Sequence, residues 1–138
     1  NRIIVGEVRG AEAIDMLQAL NTGHDGSLST GHANSPKDML SRLESMVLMG
    51  MDLPLGAVQR QIASGIDIIV HLGRLRDKSR KVLEVSEILD YQDGEILVSP
   101  LYRFEETGEK DGKIQGTWRK MDDLVHTQKL LAAGYKEV

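Results

Sequence analysis

No cysteine occurs among the 138 residues, which excludes a disulfide framework and any thiolate metal site and fits a reducing compartment. No apolar run approaches the roughly 18 residues of a membrane span, and no signal-peptide pattern opens the chain. We therefore read it as soluble and intracellular. A basic excess is also lacking. Lys and Arg number 17 against 21 Asp and Glu, a net charge of −4, so nucleic-acid binding through a basic face is not expected. There is no internal repeat and no low-complexity tract. An initiator Met is missing too: the chain opens "NRIIV" and enters an apolar run at once, which reads as a fragment of something longer.

With 41% hydrophobic and 28% charged residues, the chain can fold as one domain with a real core. Ile3 to Val5, followed by Gly6-Glu7, predicts a short buried strand ending in a carboxylate, the pattern of a central parallel strand. Ala13, Met16, Leu17 and Leu20 recur at helical spacing and predict a helix stopped by Asn21 to Gly23. "GSLST" is read as a second strand. Ser35-Pro36-x-Asp38 supplies a cap, a proline at the first helical position and an acid in the first turn, so a helix follows with Met39, Leu43, Met46 and Val47 on its apolar face. Pro54 opens a third helix to about Ser64, with Leu55, Val58 and Ile62 on one side, and "IDIIVHL" is a strand. Met39, Met46, Met49 and Met51 are read as adaptable core.

Beyond Leu75 polar turns punctuate short alternating segments. Asp93-Gly94 and Asp111-Gly112 predict turns joining residues 81–91, 95–104 and 113–120 into an antiparallel meander. "DDLVHTQKLLAAG" predicts a closing helix stopped by Gly134. The expected fold is α/β over residues 1–75, with a β-rich appendage and terminal helix over 76–138 in the same domain.

Ligands bind open α/β sheets at the carboxyl ends of strands, where Glu7 falls; there it can hold Mg²⁺ through water or orient an attacking water. It can equally cap the helix expected to start near Gly10. Arg9 can pair with Glu7 or reach a phosphate. His24 and His32 flank "DGSLSTG" and share a face if that segment is extended; with Asp25 and Glu7 they offer a metallohydrolase reading, although the i, i+4 spacing of a helical zinc motif is absent. His71 and His126 receive no role. Gly26-x4-Gly31 has phosphate-loop spacing, but His32-Ala33 stand where Lys and Ser or Thr are needed, and no other such loop occurs in these residues.

Arg2 to Met49 resembles the second half of the motor domain of type II/type IV secretion ATPases, most of all the CpaF-type ATPases of tight-adherence (Flp) pilus assembly. There a strand ending Gly-Glu-x-Arg is the Walker B element, matched by Ile3 to Arg9. The histidine box is matched by Thr22-Gly23-His24 and by Thr30-Gly31-His32-Ala33-Asn34. The resemblance continues from Arg60 to Val82 and loosely to Phe104. It implies the C-terminal half of a RecA-like P-loop ATPase core, lacking Walker A, with Glu7 as catalytic carboxylate and His32 near the γ-phosphate. Arg9, His24 and Thr30 would support nucleotide sensing. It further implies ATP and Mg²⁺ as cofactors, identical subunits in a hexameric ring, inner-membrane platform proteins as partners, and a cytoplasmic place against the inner membrane. By itself the chain is expected to be inactive. A non-catalytic oligomerisation module, with residues 81–120 as its surface, stands beside these readings.

Overall fold

The first apolar run is too short to form a sheet alone, and it finds its partner across a helix. In the computed structural model, which describes residues 2–24 and 26–137, β1 (Ile4–Val5) pairs in parallel with β2 (Leu28–Ser29), Ile4 opposite Leu28. A parallel pair needs a crossover, and α1 (Ala13–Asn21) supplies it. Ala13, Ile14, Met16 and Leu17 are buried on α1, whereas Leu20 is only half-buried. Gly23 follows the helix with φ 89°, a backbone conformation that glycine adopts without strain.

Helix α2 (Pro36–Gly50) begins as its sequence predicts. Ser35 Oγ accepts from Asp38 N at 3.0 Å, and Asp38 Oδ2 accepts in return from Asn34 N at 2.9 Å. Its buried residues are Pro36, Leu40, Leu43, Met46 and Val47. The stripe is thus rotated toward Leu40, and Met39 is half-buried against Gly31. Of the four methionines read as core, only Met46 is buried; Met49 is 69% exposed and Met51 is exposed at the helix end. Helix α3 (Leu55–Gly65) buries Val58 and Ile62 but leaves Leu55 exposed, because Pro54 is the cap and Leu55 starts the first turn. The three helices pack on one another, with Leu17, Val47, Val58 and Ile62 fully buried. Asn21 joins two of them: its Nδ2 donates to Gln61 O at 3.1 Å and its Oδ1 accepts from Ser64 Oγ at 2.6 Å.

Two compact units emerge, residues 1–67 with 90–97, and residues 68–89 with 98–138. The second unit opens with β3 (Ile68–Arg74), which pairs with β4 (Arg80–Gln92). With β5 (Glu95–Lys110) and β6 (Lys113–Lys120) they form one sheet in the order β3-β4-β5-β6. Asp93-Gly94 and Asp111-Gly112 both have positive φ at each residue, the two-residue turn whose twist matches the flanking strands. The strand expected over 95–104 is longer in the structure, since β5 runs on to Lys110 across a bulge between Glu106 and Gly108. Gly116 leaves room for the Phe104 ring, which meets Trp118 edge-on at 5.6 Å.

The closing helix is shorter than its sequence predicts. Only Gln128–Ala132 (α4) is helical. The preceding amides bond elsewhere: Val125 N and His126 N donate to the two carboxylate oxygens of Glu87, at 2.8 and 2.9 Å, and His126 Nε2 donates to Leu89 O at 2.8 Å. Glu87 is 1% exposed, so these bonds satisfy a carboxylate that the sheet has buried. Among the described residues no helix is long and apolar enough to cross a membrane.

Candidate functional site

Glu7 stands one residue beyond a bend that ends β1, between two points where the chain is fixed. Before it, Gly6 O accepts from Thr30 Oγ1; after it, Val8 N donates to Thr30 O at 2.8 Å. Val8 is also 3% exposed and anchors the backbone in the core. One threonine therefore grips both flanks of the glutamate. Glu7 does not cap α1. The Glu12 side chain turns back to the residues before the helix: its Oε1 accepts from Arg9 N at 2.8 Å and from Gly10 N at 3.2 Å, and these amides hold its carboxyl below the ordinary range. The sequence signal for Glu12 is an acid at the start of the helix.

Two side chains meet the Glu7 carboxylate. Arg9 Nη2 lies 2.6 Å from Oε2, and His32 Nε2 lies 3.0 Å from Oε1. Glu7 is 23% exposed at its side chain, against 78% for Arg9 and 83% for His32. The Arg9 hydrogen bond is the main cause that lowers the Glu7 pKa; the charges of Arg9 and His32 add to it, and burial opposes it. The same pairing raises Arg9 further above its already basic range. His32 reaches Glu7 because residues 30–34 lead from the Thr30 grip into the α2 cap. On that path a methyl group at Gly31 would lie 2.8 Å from Met39 Cε, so the end of the Met39 side chain packs over the glycine.

His24 is not brought to this cluster. Its carbonyl accepts from Ser27 Oγ at 2.6 Å, and its Nδ1 is buried without a hydrogen-bond partner. Asp25 lies outside the described residues. Among those described, no group of three His, Cys, Asp or Glu side chains could hold a metal ion. A single partly exposed carboxylate fits contact with Mg²⁺ through water, where the ion keeps most of its own hydration. Chemically, the arrangement offers an ionised carboxylate able to orient a water, with an imidazole and a guanidinium alongside it to stabilise a developing anion.

Residues 1–123 match the family model described as Type II/IV secretion system protein. A Mycobacterium tuberculosis (strain ATCC 25618 / H37Rv) protein named for conjugal transfer is 40% identical over 96 residues, 70% of this chain and 27% of that protein. The conjugal transfer protein TrbB of Rhizobium radiobacter is 39% identical over 93 residues, 67% of this chain and 28% of its own length. Among solved structures, the VirB11 ATPase from the Brucella suis type IV secretion system, in complex with sulphate, superposes with a TM-score of 0.58 at 35% identity, over 61% of this chain and 26% of that one. The chain spans a little over a quarter of the length of these relatives.

Proposed function

The chain belongs to the type II/IV secretion system protein family, and from that premise we propose that it is part of a motor ATPase whose hydrolytic carboxylate is Glu7. The observation that carries the reading is the Glu7 carboxylate held between His32 and Arg9 at the end of β1. Phosphoryl transfer is catalysed mainly by positioning and charge stabilisation, and this cluster supplies both. A bound γ-phosphate competes with Glu7 for the imidazole and the guanidinium. As they turn toward it, the glutamate oxygens become free to accept hydrogen bonds from an attacking water. Thr30 supports the position of this group by holding the backbone on both sides of Glu7. ATP and Mg²⁺ are the cofactors, with Glu7 touching the metal through water and the phosphate loop supplied by a RecA-like half that these 138 residues do not contain. By itself the chain is expected not to turn over ATP.

The assembly we propose is a hexameric ring of identical subunits, cytoplasmic and peripheral to the inner membrane, working with membrane platform proteins in pilus assembly or protein secretion. The finer assignment to the CpaF-type, Flp-pilus branch rests on the histidine-box and Walker B residues. The test uses a longer chain that includes a G-x4-G-K-[S/T] loop. Glu7→Gln should lower kcat by about a hundredfold or more while leaving Mg-ATP binding nearly intact; normal turnover in that variant removes Glu7 from the role.

A further inference from the structure

One flank of α2 carries Ser41, Arg42, Ser45, Met46 and Met49, at i, i+1, i+4, i+5 and i+8. With Arg9 they line a cleft of about 250 Å³. Arg9 and Arg42 thus border one small space, in which Glu7 and Glu12 are the charges acting on Arg9. Carboxylates that could neutralise Arg42 are turned elsewhere. Asp38, four residues earlier on the helix, accepts from Asn34 N at the cap, and Glu44 accepts from Gln59 Nε2 at 3.2 Å. Arg42 has no ion-pair partner among the described residues. Arg9 bonds Glu7 through Nη2 and also feels the charge of Glu12, while its remaining N–H donors make no side-chain hydrogen bond among the described residues. The Ser45 hydroxyl makes only a long bond to Ser41 O, at 3.3 Å.

We propose that this cleft is an oxyanion site for a phosphoryl group, taken by Arg42 and the free edge of Arg9 with the two serine hydroxyls. Two cationic forks and two hydroxyls suit a tetrahedral dianion, and guanidinium binds phosphate oxygens in pairs. Because Arg9 touches both the cleft and Glu7, a phosphate in the cleft and the Glu7 carboxylate compete for one guanidinium. The anion is either phosphate released by hydrolysis or the phosphate chain of a nucleotide. Its link to hydrolysis rests on the role proposed for Glu7; its binding does not.

The test titrates the ¹⁵N-labelled 138-residue chain with sodium phosphate at constant ionic strength, with sodium chloride as reference and ADP in parallel. Phosphate should give saturable shifts at the amides of residues 9–10 and 41–49, and Arg42→Gln, an exposed substitution, should weaken the response about tenfold. Saturation by phosphate alone assigns the site to the free anion; saturation by ADP at the same amides assigns it to a nucleotide's phosphates. Linear shifts, shifts matched by chloride, or an undiminished response in Arg42→Gln overturn the proposal. No hydrolysis enters this measurement, so normal turnover in Glu7→Gln would remove the catalytic reading and leave the phosphate response standing.

Discussion

Glu7 in one unit and Glu87 in the other are both held in defined places, and their partners differ. Glu7, in the helical unit, is met by the side chains of Arg9 and His32, both largely exposed. Glu87, in the sheet unit, is fully buried and met by the backbone amides of Val125 and His126. Side-chain partners can rotate away and be replaced by a substrate. Amides of a folded segment cannot leave without unfolding it. Partner type thus separates a carboxylate available for chemistry from one committed to architecture, although both are acids in or beside a strand.

Substitutions can break this contrast, and the Glu7→Gln loss of turnover is the largest expected effect. Next is Leu17→Ala, which removes a fully buried side chain from the helical core; we expect a loss of about 2–5 kcal/mol by denaturant unfolding, with hydrogen exchange in α1 accelerated most. Glu87→Ala should cost about 2–4 kcal/mol, because two amides are left unpaired in a buried place, and the amides of Val125 and His126 should lose their protection. If Glu87→Ala proves harmless, the distinction between the two carboxylates fails. The smallest effect concerns acid. Asp77 accepts from Ile114 N, Ser79 Oγ and Ser79 N, which hold its pKa down to about 2 against an ordinary 3.8. Since its folded value is depressed, its stabilisation is present above pH 4 or so and is lost as pH falls toward 2. Asp77→Asn should lower Tm at neutral pH, and the difference from the unsubstituted chain should shrink as pH falls toward 2 and vanish below it. Glu7 obeys the same sign: its lowered pKa keeps it ionised through the neutral range.

Much of the helical unit was legible because its signals are local. Ser35-Pro36-x-Asp38 specified the α2 start, and the spacing of Val58 and Ile62 specified the buried face of α3. What escaped the sequence depends on contacts far along the chain. The predicted helix over 122–134 lost its first half to Glu87, some 38 residues earlier, which no periodicity records. Met49 and Met51 look like core by type and are exposed. At the candidate site, the strand-end acid and the histidine box gave Glu7, Arg9 and His32, whereas the Thr30 grip on Gly6 and Val8 and the work of Glu12 emerge only in three dimensions. His24 shows the opposite case: the sequence set it beside His32, and the fold places no contact between His24 and Glu7.

The Thr30 grip also bears on how the site comes to exist during folding. Its bond to Gly6 closes a loop of 24 residues, an entropic cost of about 3 kcal/mol before any fixed term. Exposed ion pairs such as Glu7–Arg9 contribute too little to offset that. Closure must instead be driven by α1, whose crossover places Ala13 and Leu17 in the apolar core. The geometry of the candidate site therefore depends on packing a helix several residues away. A substitution that slows docking of α1 would delay assembly of the site without touching any residue in it.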